Sequence, residues 1–203
     1  QYPDAALQGI RDLLGVAKSE PIPTERIAAV KMGTTVGTNA LLERKGDRTL
    51  LVINEGFGDA LRIGYQNRPR LFDLNVKLPE MLYENVLEVA GRYTAHGVER
   101  APIDLEGARS GLQSAYDSGI RACAIVFLHG YRYSAHEKAV AGLAKDIGFT
   151  QISTSHEVSP LMKIVGRGDT TVVDAYLSPI LRRYVDRVAA ELGDARLMFM
   201  QSN

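Results

Sequence analysis

The run Met32-Gly33-Thr34-Thr35-Val36-Gly37-Thr38-Asn39-Ala40 places three threonines, two glycines and an asparagine between an apolar stretch and a helix-forming one. Hydroxyls and a side-chain amide supply donors and acceptors, small residues let a ligand approach, and the N–H groups of a helix start favour an anion. The same composition also serves a plain helix cap, Thr34-Thr35 preceding Ala40 to Lys45, and on spacing alone the cap is the favoured reading, since caps are common at helix starts. No Gly-Lys-Ser/Thr follows, so this is not a Walker A loop. A second run, Arg62-Ile63-Gly64-Tyr65-Gln66-Asn67-Arg68-Pro69-Arg70, carries three arginines and no acid. Arginine forks suit carboxylate or phosphate, or they pair on the surface with Asp59, Asp73 or Glu80. A third, Gly166-Arg167-Gly168-Asp169-Thr170-Thr171, reads first as a loop feeding a helix capped by Asp169, with Asp174 in its first turns.

Single residues add less. His129 and Tyr131 follow the apolar run Ala122 to Leu128 directly. The carboxyl ends of parallel strands are where ligands bind in open α/β sheets, which makes both pocket candidates; a histidine satisfied by a neighbouring loop is the plainer alternative. His96, His129, His136 and His156 show no metal-ligand spacing among themselves or with Cys123, so no metal is expected. Cys123, set among alanine, isoleucine and valine, reads as an inert core residue. No general base can be assigned.

These groups need elements to hold them. Residues 3–14 have helical apolar spacing. Ile27 to Met32 and Thr49 to Ile53 read as strands, and Val86 to Tyr93 as another. The stretch 56–80 reads as a long structured loop. From Leu105 the order is helix, buried strand (122–128), helix (139–147), strand (149–153), which implies a parallel pair with a crossover helix and hence an α/β fold. A helical stripe runs from Asp169 to Leu192, with Pro179 expected to kink it, and a last strand occupies Arg196 to Met200.

The 203 residues hold 24 basic and 24 acidic side chains, for a formal net charge of zero. That balance argues against a dedicated nucleic-acid binder. One cysteine cannot form an internal disulfide, so a reducing, cytoplasmic setting is expected. No apolar run approaches the roughly 20 residues that span a bilayer, so no membrane partner is expected. A first residue of Gln1 and a terminal strand with nothing to cover it lead to the expectation of an incomplete fragment.

Several blocks together resemble the hydantoinase A/5-oxoprolinase family. The first is Met32 to Gly46. The second is Gly56-Phe57-Gly58-Asp59 with Ile63 to Pro69 and Leu71-Phe72-Asp73-Leu74. The third is Leu128-His129-Gly130-Tyr131 with His136-Glu137. The fourth is Ser155 to Pro160 with Thr170 to Pro179. Gly58 stands where the family usually has arginine, and Gly130 where it usually has serine. The resemblance covers most of the chain. It implies an actin-like (ribonuclease H-like) ATPase N-terminal lobe spanning 1–203, with an embedded α/β subdomain at about 80–165.

By the same resemblance, the parent protein would be an ATP-dependent cyclic-amide hydrolase of the 5-oxoprolinase or N-methylhydantoinase type, activating a ring carbonyl by phosphorylation with ATP and Mg²⁺. An ATP-dependent ketone carboxylase subunit and a non-catalytic subunit-docking lobe are the alternatives. Thr34, Thr35, Thr38, Asn39, Arg62, Gln66 and Arg68 would contact the substrate, with His129, Tyr131, Asp169 and Asp174 as secondary candidates. Thr34, Thr35 and Asn39 would be open to a pocket or to a second lobe. Partners would be a small cyclic amide, that second lobe, and a second hydantoinase-type subunit or domain. The family's two glycine-rich phosphate loops would lie outside 1–203, so no tightly bound cofactor and no ATP hydrolysis are expected of this chain alone.

Overall fold

The computed structural model describes residues 5–66, 72, 74, 75, 78 and 80–200. They divide into two units: one draws on the chain up to Glu43 and from Ile180 onward, the other is Arg44–Pro179.

The first unit contains α1 (Ala5–Leu14), a 3₁₀ turn (Thr24–Arg26), β1 (Val30–Met32), α2 (Val36–Leu42) and β8 (Leu197–Phe199). β1 and β8 run parallel, with Val30 opposite Leu197 and Met32 opposite Phe199. The apolar stripe of α1 buries Leu7 against Ile22, Val188 and Leu192, and Arg11 pairs with Glu191 at 3.0 Å. β1 is shorter than the apolar run 27–32 implied, and α2 starts and ends earlier than the expected helix body. Thr35 occupies the cap position of α2 without a side-chain cap bond. Thr34 Oγ1 accepts from the Val36 N–H at 3.1 Å instead, a local turn that replaces the expected cap.

The second unit is built on β2 (Thr49–Asn54), β3 (Asn85–Val89), β6 (Ala122–Val126) and β7 (Gln151–Thr154), in the spatial order β3-β2-β6-β7 and parallel throughout. α3 (Ala60–Ile63), the hairpin β4 (Arg92–Tyr93) and β5 (Glu99–Ala101), α4 (Leu105–Asp117), α5 (Ala135–Ile147), α6 (Ser155–Val158) and the part of α7 (Ile164–Leu192) up to Pro179 complete it.

Strand periodicity divides the core into two layers. Leu50, Val52, Cys123 and Ile125 face one cluster, with Ala108 and Leu112 of α4 and Val140 and Ala144 of α5. Leu51, Ile53, Ala124 and Val126 face the other, with Leu61 of α3 and Val172 and Ala175 of α7. Both central strands are therefore buried on both faces, as covered parallel strands are.

Two expectations change. The strand expected over 86–93 breaks at Gly91, whose φ of 140° suits glycine and whose added Cβ would lie 2.7 Å from the Ile103 backbone. α7 begins at Ile164, so Asp169 lies inside the helix and does not cap it. The glycines at 166 and 168 are helical and do not form a loop. α7 also runs through Pro179 as one helix.

Candidate functional site

The chain leaves β2 to form β3 on one side, then crosses back to lay β6 on the other. Connections from neighbouring strands that diverge in this way open a crevice beyond their carboxyl ends, the common ligand position in open parallel sheets. Here this topology puts the expected crevice between Asn54–Gly58 and Phe127–Tyr131, the segments that follow the two strands. Asn54, 3 % exposed, closes its floor: Nδ2 donates to the Gly91 carbonyl at 2.8 Å, and Oδ1 accepts from the Leu128 N–H at 2.6 Å.

On the β6 side, a buried polar network fixes the loop. The Glu137 carboxylate, fully buried, accepts from the Phe127 N–H (2.9 Å), Ser155 Oγ (2.5 Å), the His156 N–H (3.0 Å) and His156 Nδ1 (2.6 Å). The Arg167 guanidinium, also fully buried, donates to Ser155 Oγ, to the Leu161 and Met162 carbonyls and to the Phe127 carbonyl. Burial lowers the Arg167 pKa from its ordinary value, while Glu137 and Tyr131 oppose that shift. His156 Nε2, on the other side of the ring, is a buried atom with no hydrogen-bond partner among the described residues.

His129 leads the loop with φ at 63°, a left-handed conformation uncommon outside glycine. Its ring lies 6.3 Å from that of Tyr131, which in turn lies under Arg167 at 5.5 Å. Burial, then the charges of Arg92 and Arg167, push the His129 imidazole below its usual value.

On the β2 side, α3 carries Arg62 into solvent while Leu61 packs against Gly168 of α7. The Tyr83 phenol is raised by burial and by Asp59, and Asp169 adds to this while Arg62 opposes it. Arg62, Asp59 and Asp169 thus share one electrostatic neighbourhood around Tyr83. Loss of hydration raises the Asp169 carboxyl as well. Beside them, Phe57, Asp59, Ile63, Val86 and Glu88 line an open depression of ≈ 760 Å³.

The other sequence candidates separate. Gln66 is exposed with φ at 58°. Arg68 lies outside the described residues. Asp174 is engaged structurally, accepting from Ser153 Oγ at 2.6 Å and Ser178 Oγ at 3.0 Å. Thr34, Thr35, Thr38 and Asn39, all exposed, belong to the other unit. Among the described residues, no three histidine, cysteine, aspartate or glutamate side chains gather as metal ligands, and no helix is long and apolar enough to cross a membrane.

Sequence reasoning missed Glu137, Ser155, His156 and Arg167 as one network. Glu137 enters the sequence reading only within the third resemblance block, and Ser155 and His156 only within the fourth. Arg167 reads as part of a glycine loop, and only the alternation of a helix through 164–170 would have turned it inward.

Comparison with known proteins adds a frame. The model of the hydantoinase/oxoprolinase N-terminal region matches residues 1–148, and the hydantoinase/oxoprolinase model matches 167–203. The chain is 37 % identical over its whole length to 5-oxoprolinase of Saccharomyces cerevisiae and 39 % identical to 5-oxoprolinase 1 of Arabidopsis thaliana, spanning 18 % of each. It is 32 % identical over 89 % of its length to the caprolactamase subunit alpha of Pseudomonas jessenii, covering 28 % of that subunit. The crystal structure of the ATP-dependent caprolactamase from the same organism matches 97 % of this chain and 29 % of its own, with a TM-score of 0.77 at 28 % identity. The nucleotide-free acetone carboxylase structure matches in fold, with a TM-score of 0.73 at 19 % identity over 96 % of this chain and 31 % of its own. The α/β, actin-like lobe expected from the sequence is the fold found.

Proposed function

This chain belongs to the hydantoinase/oxoprolinase family, and from that premise we propose that it is the substrate-holding part of an ATP-dependent cyclic-amide hydrolase acting on a lactam of the 5-oxoproline type. The observation that carries the reading is identity of 37–39 % over the whole chain to two 5-oxoprolinases, together with an exposed arginine, Arg62, beside the β2 end of the crevice. A lactam with a ring carboxylate needs a cation that has not been spent on a protein partner, and a guanidinium fork matches a carboxylate. Thr34, Thr35, Thr38 and Asn39, on the other unit, are candidates in their own right through exposed hydroxyls and an amide. Gln66 and Arg68 follow Arg62 in the sequence.

ATP, with Mg²⁺, supplies the phosphoryl group that turns the ring carbonyl into a better electrophile. None of the residues named above forms a phosphate cradle. α2 has only seven residues, and the Thr34 hydroxyl already accepts from Val36. The role of this chain is to bind and orient the ring; the second lobe and a second hydantoinase-type subunit or domain complete the enzyme.

The test is phosphate release by the full-length protein with ATP and Mg²⁺ across 5-oxoproline, hydantoins, caprolactam and acetone with bicarbonate. Turnover confined to cyclic amides supports the proposal, and turnover confined to the ketone refutes it. Replacing Arg62 with Met should raise KM for 5-oxoproline about tenfold or more, the loss of one charge-assisted hydrogen bond, and leave KM for an uncharged lactam in place.

A further inference from the structure

Asn54, bonded to the Gly91 carbonyl and the Leu128 N–H, brings the neighbouring residues Arg92 and His129 to the β2/β6 crevice, and the side chains of these two and of Tyr131 have no protein hydrogen-bond partner among the described residues. Arg92, at the start of β4, is exposed, with its guanidinium stacked over Phe57 at 5.2 Å from the ring centroid and no carboxylate paired with it. His129 is partly buried and fixed by its left-handed backbone. Tyr131 is wedged between the His129 ring and the Arg167 guanidinium, with its hydroxyl unbonded. The Phe57 contact orients Arg92 without using its in-plane N–H donors, whereas those of Arg167 go to Ser155 Oγ and to the Leu161, Met162 and Phe127 carbonyls. The loop that carries His129 and Tyr131 is held by two fully buried charged residues, Glu137 and Arg167. Such a costly anchor fixes a loop whose own polar groups are left open.

We propose that this crevice binds a small oxyanion, gripped by the Arg92 guanidinium and the His129 imidazole, with the Tyr131 hydroxyl as a third donor. All three groups can donate, and among the described residues none of them is paired with a carboxylate; Glu88, at the Gly58 end of the crevice wall, is bonded to the Gly58 N–H at 2.5 Å. A fork of N–H groups beside an imidazole fits the two coplanar oxygens of a carboxylate, and it also fits two oxygens of inorganic phosphate. The charges acting on His129 are those of Arg92 on β4 and Arg167 on α7. Both disfavour the imidazolium, and an arriving anion offsets them. Arg92 belongs to none of the sequence runs considered above, and the site does not use Arg62, so it stands or falls apart from the ring-opening reading.

The experiment is an NMR titration of the 203-residue chain without ATP, following the His129 imidazole signals, which are identified by their loss in His129→Asn. Asparagine tolerates a left-handed φ, so that variant keeps the loop. Sodium acetate, succinate and inorganic phosphate are added at constant ionic strength, with chloride as the reference. Saturable shifts absent from the chloride arm, weakened about tenfold or more in Arg92→Met, together with a His129 pKa that rises at saturation, are the expected result. Saturation by the organic acids alone identifies a carboxylate ligand, and saturation by phosphate alone identifies phosphate. Either supports an oxyanion site. Shifts that match chloride, or an Arg92→Met protein that titrates like the parent, overturn it.

Discussion

Glu137 and Arg167 hold the same residue from opposite ends of its backbone. The Glu137 carboxylate accepts from the Phe127 N–H at 2.9 Å, and Arg167 Nη2 donates to the Phe127 carbonyl at 2.6 Å. β6 ends at Val126, so Phe127, 2 % exposed, has left the ladder with both backbone groups still buried. Such groups need partners, and a carboxylate and a guanidinium provide them. Ser155 Oγ bridges the two charges, donating to Glu137 and accepting from Arg167. The direction in which His129 and Tyr131 leave the sheet is set by this pair.

Replacing Glu137 with Gln should destabilise the chain by about 3–5 kcal/mol, because Arg167 then stays buried without its counter-charge. Replacing both residues with Met should cost clearly less than the sum of the single replacements, since neither charge is left unpaired. Urea denaturation of the four proteins measures this. Additive losses would mean that the two residues act separately.

How much of this was legible in the sequence follows from distance along the chain. The double-faced burial of Leu50 to Ile53 and Ala122 to Val126 is a local pattern, and so is the apolar stripe of α4. Strands and helices could therefore be read from neighbours two to four residues apart. His129 could be singled out because the end of a buried parallel strand is itself a local landmark. Glu137, Ser155 and Arg167 come from three elements, and their charges look solvated until the elements meet. Asp169 misled for the opposite reason: a Gly-Arg-Gly-Asp run has the composition of a capped helix start, and tertiary packing on Leu61 overrode it.

That packing gives a paired prediction in α7. A Cβ added at Gly168 would lie 2.6 Å from Leu61 Cδ2, inside a buried cluster, whereas one added at Gly166 would meet nothing nearer than the Tyr65 hydroxyl at 3.6 Å. Gly168→Ala should therefore cost about 1–3 kcal/mol through overpacking. Gly166→Ala should be neutral or stabilising by up to about 1 kcal/mol, the helix preference of alanine over glycine. Thermal denaturation of the two variants separates them, and equal effects would contradict the close approach of α3 to α7.

Cys123 should be chemically silent in the folded chain. It is fully buried in the middle of β6, and burial pushes its thiol up to about 12. The thiolate is the reactive form, so at pH 8 both access and ionisation oppose reaction. Labelling with a disulfide reagent should proceed only as fast as the protein opens and become immediate in denaturant. Prompt labelling of the native chain would place Cys123 outside the core.

Asp169 should carry a stability cost at neutral pH. Its side chain reaches solvent, yet partial loss of hydration raises its carboxyl above the ordinary value. The folded chain therefore holds the proton to higher pH than the unfolded chain does. Between the unfolded value, about 3.9, and the raised folded value, the folded state binds more protons, and stability falls as pH rises through that window. Above it the penalty is complete. Asp169→Asn removes the charge and should raise the denaturation midpoint at pH 7. The two proteins should converge as the pH drops below about 3.9, where the carboxyl is protonated in both states. A variant less stable than the parent at pH 7 but equal to it in acid would instead show that the Asp169 carboxylate is held by an attractive partner such as Arg62. In that case the shared neighbourhood around Tyr83 would be an ion pair, and the cost assigned to Asp169 would be wrong.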